Sequence, residues 1–223
     1  MGRIKSPGSR ARASCITAID EDWRHRRHYV SELAEKIRAF IAIRVSAEVA
    51  RAIDDLVAQL RSHDDGIRWV SAANLHLTLK FLGPSVPPEK IHRLQPELEK
   101  IAAETIAFEV ESAGVGGFPN LRRPDVVWVG LRCEALGGLA ARVDDAASRC
   151  GFAREQRAFN PHLTIGRMKR PRLDAATRET LGAAKNRTFG TSTIREMTLY
   201  RSITGAGGPT YEALAKFQFK SPI

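Results

Sequence analysis

The sequence predicts an α+β fold built from two similar halves, and three observations carry that prediction. Apolar periodicity switches repeatedly between two-residue alternation and helical spacing. Each half runs strand, helix, strand. The strand that closes each unit carries the same short pattern, His-x-Thr between apolar residues, once at His76–Thr78 and again at His162–Thr164. This is a divergent internal duplication and not a short-period repeat.

The elements follow in order. Residues 1–36 read as a basic extension: Arg3, Lys5, Arg10 and Arg12 come without an acid among the first twelve residues, and disorder or a partial helix, over about 30–38, is expected. The remainder, 37–223, is taken as one functional domain. Residues 40–45 read as a short apolar strand. Ser46 then caps a helix with Val49, Ile53, Leu56, Val57 and Leu60 on one face. Strands are expected at 67–70 and 75–82, with Gly83-Pro84 ending that unit. Pro87-Pro88-Glu89 opens a helix that Pro96 is expected to kink or split. Strands at 108–115 and 126–131 flank a loop over 114–124. A helix over 136–150 stops at Gly151. Strands at 152–157 and 162–167, a helix near 174–184, and strands at 194–202 and 211–219 complete the chain.

Composition narrows the function classes. Length suffices for one large domain or two small lobes with a real core. No run of 18 apolar residues is present to span a membrane, and residues 1–38 lack the apolar stretch of a secretory signal. The formal net charge is +10, which favours a polyanionic partner, nucleic acid being the usual one, though ordinary surface charge also accounts for it. Cys15, Cys133 and Cys150 form no CxxC pair, which points to a reducing, cytoplasmic setting. His25 and His28 have metal-like spacing, but Arg24, Arg26 and Arg27 between and beside them repel a cation.

The repeated pattern carries the chemistry. In a strand, residues two apart share a face. Leu75, Leu77, Leu79 and Phe81 are expected on a core face, with Asn74, His76, Thr78 and Lys80 opposite. In the second copy Leu163 and Ile165 go inward, leaving His162 and Thr164 outward. Each copy therefore sets an imidazole and a hydroxyl side by side. With six histidines in the chain, two such copies by chance are improbable.

At these residues the chain resembles the two-histidine phosphoesterases, and within them the RNA 2′,3′-cyclic phosphodiesterases, also called the 2′-5′ RNA ligase family. The resemblance runs from about residue 40 to 219. It takes in Arg68-Trp69-Val70, both His-x-Thr strands, Gly117-Phe118-Pro119 and Leu199-Tyr200-Arg201. It implies two pseudo-symmetric lobes, each an antiparallel sheet with flanking helices, around a central groove, with one histidine entering from each side. The substrate implied is RNA, or an oligonucleotide, ending in a 2′,3′-cyclic phosphate.

Two histidines suit in-line displacement at phosphorus, because an imidazole near its ordinary pKa of about 6.5 can give or take a proton. By resemblance His76 is the donor to the leaving oxygen and His162 the acceptor from water. Thr78 and Thr164 can donate to non-bridging phosphate oxygens. Arg167, which family members also carry, supplies fixed positive charge. Phe118 and Tyr200 are candidates to stack a base, and Trp128 is assigned to burial in its strand. Lys80 is either an assisting cation or a rim lysine. No cofactor is expected: Gly114-Val115-Gly116-Gly117 lacks the spacing of a nucleotide loop, and no acidic cluster on the motif strands suits metals. A monomer is expected. Ligation of RNA ends in the same site, and a non-catalytic nucleotide-binding module, stand as the alternatives.

Overall fold

The structure is a computed structural model that describes residues 35–61, 66–169, 173–205 and 208–222. The readings placed on residues 1–34 fall outside these. Where the anticipated helix over 30–38 can be checked, Ile37 and Arg38 belong instead to the first strand.

In chain order the elements are β1 (Ile37–Ile43), α1 (Ala47–Arg61), β2 (Ile67–Trp69), a 3-10 turn (Ala72–Asn74), β3 (Leu77–Val86), α2 (Pro88–Glu104), β4 (Phe108–Phe118) and β5 (Val126–Arg132). Then come α3 (Ala135–Arg149), β6 (His162–Met168), α4 (Ala175–Ala183), a 3-10 turn (Ala184–Asn186), β7 (Thr188–Ile194), β8 (Glu196–Gly205) and β9 (Gly208–Gln218). The strands form two antiparallel sheets, ordered β3-β1-β8-β9 and β2-β6-β5-β4-β7.

The sheets repeat one another. In the first, β1 pairs with β3 through Ile43↔Leu77, Ala42↔Thr78 and Ile41↔Lys80. In the second, β5 pairs with β6 through Val129↔Leu163, Trp128↔Thr164 and Val127↔Gly166. Both ladders skip one residue straight after the threonine, Leu79 in one and Ile165 in the other. Each is a β-bulge, which reverses the facing of everything beyond it.

The two halves of the chain are nevertheless interleaved. β2 leaves its own half to extend the second sheet beside β6, and the C-terminal hairpin β8–β9 extends the first sheet beside β1. Helices cross as well. α1 follows β1 but packs on β7, whereas α3 follows β5 but packs on β3, with α2 against α3 and β9. One continuous apolar core results, drawn from both sheets and their helices. A separate small aromatic cluster of Phe40, Ala42 and Tyr200, with Tyr211 against it, lies on the other face of the first sheet.

Helix signals hold closely. Ser46 Oγ accepts from Val49 N–H, and Asp174 accepts from Thr177 N–H at the start of α4. Gly151 takes φ +84° just past α3. Several boundaries differ from expectation. α2 runs unbroken through Pro96, because both Pro96 and His92, whose carbonyl loses its donor, face solvent. β3 continues through Gly83-Pro84 to Val86, which an edge strand permits. β4 absorbs 114–118, so the loop spans only 119–125. Residues 152–157 form no strand; their amides turn to side chains, Glu155 N–H donating to Asp144 and Arg157 N–H to Glu155. β7 went unpredicted.

Candidate active site

The site is built on the faces of both sheets turned away from the apolar core. On β1, Ile37, Ala39, Ile41 and Ile43 go into that core, so Arg38, Phe40 and Ala42, followed by Arg44 just past the strand, alternate onto the open face. Thr78, on β3 beside β1, shares that face, and Thr164, on β6 beside β5, takes the equivalent place in the second sheet. Cα atoms of β3 and β6 come within 8 Å, so the two motif strands approach one another where the sheets meet.

Each histidine is held in the same way. His76 lies just ahead of β3, and its Nδ1 is 2.7 Å from the carbonyl oxygen of Asn74. His162 opens β6, and its Nδ1 is 2.7 Å from the carbonyl oxygen of Asn160. A carbonyl only accepts, so each Nδ1 carries the hydrogen and donates, which leaves Nε2 bare for chemistry. Rings fix the planes. Phe40 lies 4.9 Å from His76 and Tyr211 meets it edge-on at 5.0 Å. Phe118 meets His162 edge-on at 4.9 Å, with Trp128 beyond at 6.4 Å.

Electrostatics ties the halves together. Burial pushes both histidines below the ordinary imidazole range, against the raising effect of the Asn74 and Asn160 carbonyls. The Arg167 guanidinium adds to the lowering at both, and Arg44 and His162 add to it at His76. Tyr211 is pushed up by burial, with Arg167 and Arg38 working in the opposite direction. Arg167 thus lies within electrostatic reach of His76, His162 and Tyr211.

Arg167 reaches this position because of the bulge at Ile165. Strict alternation from His162 puts Gly166, not Arg167, on the open face; the skipped residue turns Arg167 outward. The same device corrects the first copy. Lys80 does not share the face of His76 and is no rim lysine. It is 5% exposed, and its Nζ donates to Asp144 Oδ1 at 2.5 Å and to the Ala153 carbonyl at 2.6 Å. Phe81, expected in the core, is 40% exposed on the open face, with Arg38 4.5 Å above its ring.

Of the two candidate stacking residues, Phe118 borders the cleft next to His162. Tyr200 is 7% exposed and stacks on Phe40 at 5.3 Å, forming the floor under His76. The half-buried ring in contact with His76 on that side is Tyr211, which sequence reasoning missed, as it missed Arg38, Phe40 and Arg44. The alternation of residues 38–44 was a usable signal for the last three. Among the described residues, no group of three or more His, Cys, Asp or Glu is placed to hold a metal.

Residues 45–206 match the family model described as the 2′-5′ RNA ligase superfamily. The chain belongs to that superfamily. An Archaeoglobus fulgidus protein named RNA 2′,3′-cyclic phosphodiesterase is 33% identical over 183 residues, 82% of this chain and 100% of that one. A crystal structure of a Thermus thermophilus protein superposes with a TM-score of 0.71 at 26% identity, covering 83% of this chain and 99% of that one. Escherichia coli LigT complexed with 3′-AMP superposes with a TM-score of 0.67 at 30% identity, covering 83% and 99%. These superfamily structures share the paired-sheet architecture described above.

Proposed function

We propose that this protein hydrolyses 2′,3′-cyclic phosphate ends of RNA to 2′-phosphomonoesters by histidine acid–base catalysis. One observation carries the reading: two imidazoles, one at the head of each motif strand, are each held through Nδ1 on a carbonyl two residues back, and we place them across one groove with Arg167. The relatives named RNA 2′,3′-cyclic phosphodiesterase support the substrate class.

Water attacks phosphorus in line with the ribose 3′ oxygen. His162 Nε2 takes the proton of the attacking water as the new P–O bond forms. His76, protonated at Nε2, gives its proton to the departing 3′ oxygen as the P–O3′ bond breaks, and the phosphate stays on the 2′ oxygen. Thr78 and Thr164 donate to the non-bridging oxygens, where charge builds. Arg167 offers paired N–H donors to the same anion. Protons and charge are thus handled by side chains of this chain, without a cofactor. No described helix is long and apolar enough to cross a membrane. The sparse cysteines fit a reducing, cytoplasmic setting, and we take the protein to act there as a monomer.

The test is a cyclic-phosphate dinucleotide incubated with the protein and a chelator, with the product position read by phosphorus NMR. A 2′-phosphomonoester formed at undiminished rate supports the reading. A 3′-phosphomonoester, strict metal dependence, or 2′-5′ joining to added 5′-hydroxyl RNA that outruns hydrolysis would overturn it.

A further inference from the structure

The groove is unequal on its two sides, and the inequality has a chemical meaning. On the first sheet, Phe40, Tyr200 and Tyr211 pack on one another and against His76, leaving a recess of only about 20 Å³. On the second sheet a cleft of about 390 Å³ opens beside His162 and extends across β5 and β4 to Lys185. That volume falls in the range of sites that enclose small ligands.

Glycine lets the walls of the cleft pack closely. Gly130 stands opposite His162 in the ladder, where an added Cβ would meet the Ala113 carbonyl oxygen at 2.8 Å. Gly114, at φ +78°, passes so close that a Cβ would lie 3.1 Å from the Lys185 carbonyl oxygen. Trp128 rests directly on Gly116, where a Cβ would fall 2.2 Å from the indole. At the equivalent register in the first sheet, Thr198 stands where Gly116 does and Ala42 where Trp128 does. Aromatic surface thus lines the cleft through Trp128 and Phe118, which lie 5.4 Å apart. Two cations, Arg132 and Lys185, line it too. Arg132 is exposed, with one guanidinium nitrogen 3.5 Å from Glu111.

We propose that this cleft is a subsite for the second nucleotide of the RNA, its base against Trp128 and Phe118 and its phosphodiester facing Arg132 and Lys185. Rings combined with cations are what a single-stranded nucleotide needs, stacking for the base and charge for the phosphate. An apolar small molecule would leave Lys185 without a counterpart and Arg132 with only its 3.5 Å contact to Glu111. This inference rests on the phosphodiesterase reading, and it adds that the protein selects oligonucleotide ends over free cyclic mononucleotides.

The experiment compares uridine 2′,3′-cyclic phosphate with the dinucleotide UpU carrying the same cyclic end. The wild-type protein favours the dinucleotide in kcat/KM by roughly tenfold or more at low salt, the scale of one stacked base. Its dependence on salt is steeper by about 0.7 in log–log slope, one phosphate's worth for a single strand. In the double variant Arg132→Ala/Lys185→Ala, checked for folding by circular dichroism, the extra slope disappears and the ratio of the two substrates falls to the part that stacking on Trp128 and Phe118 supplies. Equal kcat/KM for both substrates in the wild-type protein, or an unchanged ratio in the double variant, overturns the subsite. Equilibrium binding of the products, 2′-UMP and UpU 2′-phosphate, reads the same ratio without turnover. Absence of any hydrolysis would therefore defeat the phosphodiesterase reading, whereas equal product affinities would defeat the subsite.

Discussion

Phe81 and Arg167 hold equivalent places in the two motif strands, each three residues past its threonine and each returned to the open face by a one-residue bulge. The pseudo-symmetry is therefore kept in the backbone and broken in the side chains. One strand presents an aromatic ring beneath Arg38, the other a guanidinium that acts on both histidines. A substrate with a planar base at one end and an anion in the middle fits that division.

Arg167→Ala should lower kcat/KM for a cyclic-phosphate substrate by roughly 10- to 100-fold, since hydrogen bonds to charged groups contribute about 1.5–3 kcal/mol. Arg167→Lys should recover only part of this, because an ammonium lacks the planar paired donors. Steady-state kinetics of the two variants checks it. Full recovery by lysine would mean that charge alone matters.

The pH profile follows from burial of both imidazoles. His76 and His162 each titrate below the ordinary value of about 6.5, burial being the chief cause. Turnover needs one histidine protonated and the other neutral. Rising pH empties the donor, and falling pH fills the acceptor. With both pKa values depressed, kcat/KM should peak on the acid side of pH 6.5 and drop by about tenfold per unit at higher pH. Bound phosphate is an anion and favours the protonated form, so the alkaline limb of kcat should lie at higher pH than that of kcat/KM. A kcat/KM maximum well above neutrality would contradict this.

Lys80 gives a stability prediction. It is buried on β3 and bonded to Asp144 of α3, whose carboxyl also accepts from Glu155 in the segment leading to His162. Burial opposes ionisation of Asp144, but Lys80 and the Glu155 amide together hold its pKa below the usual carboxylate range. Lys80→Met leaves that carboxylate without its main partner, and removing one member of a buried pair costs about 3 kcal/mol. Thermal unfolding should show a Tm lower by about 6–12 °C. Asp144→Asn/Lys80→Met together should recover much of the loss. A single variant as stable as the wild type would mean the pair contributes nothing.

How much was legible in the sequence depends on what each residue's position reports. The His76 and His162 strands were readable because Leu75, Leu77, Leu163 and Ile165 leave no doubt which side is core, and all four are buried. Residues past the threonines were misread, because a bulge leaves no mark in apolar alternation: Lys80 and Phe81 exchanged faces. β7 was missed because, in Thr188–Ile194, only Phe189 and Ile194 are large and apolar. Ser192 is buried there because its Oγ accepts the Ser46 N–H across 146 residues of chain. Tyr211 was hidden for a related reason: its role comes from β9 folding back on β8, beyond any local pattern. The interleaving of β2 and the helices between the sheets was likewise invisible to reading each half alone.

The most direct measurement is single-turnover kinetics on a cyclic-phosphate dinucleotide for His76→Ala, His162→Ala and the double variant. If the two imidazoles act as one proton-transfer unit, each single variant should lose roughly 10²- to 10⁴-fold in rate, and the double should lose little more than either. A single variant that keeps a rate near wild type, or losses that multiply as though the histidines worked independently, would contradict the account.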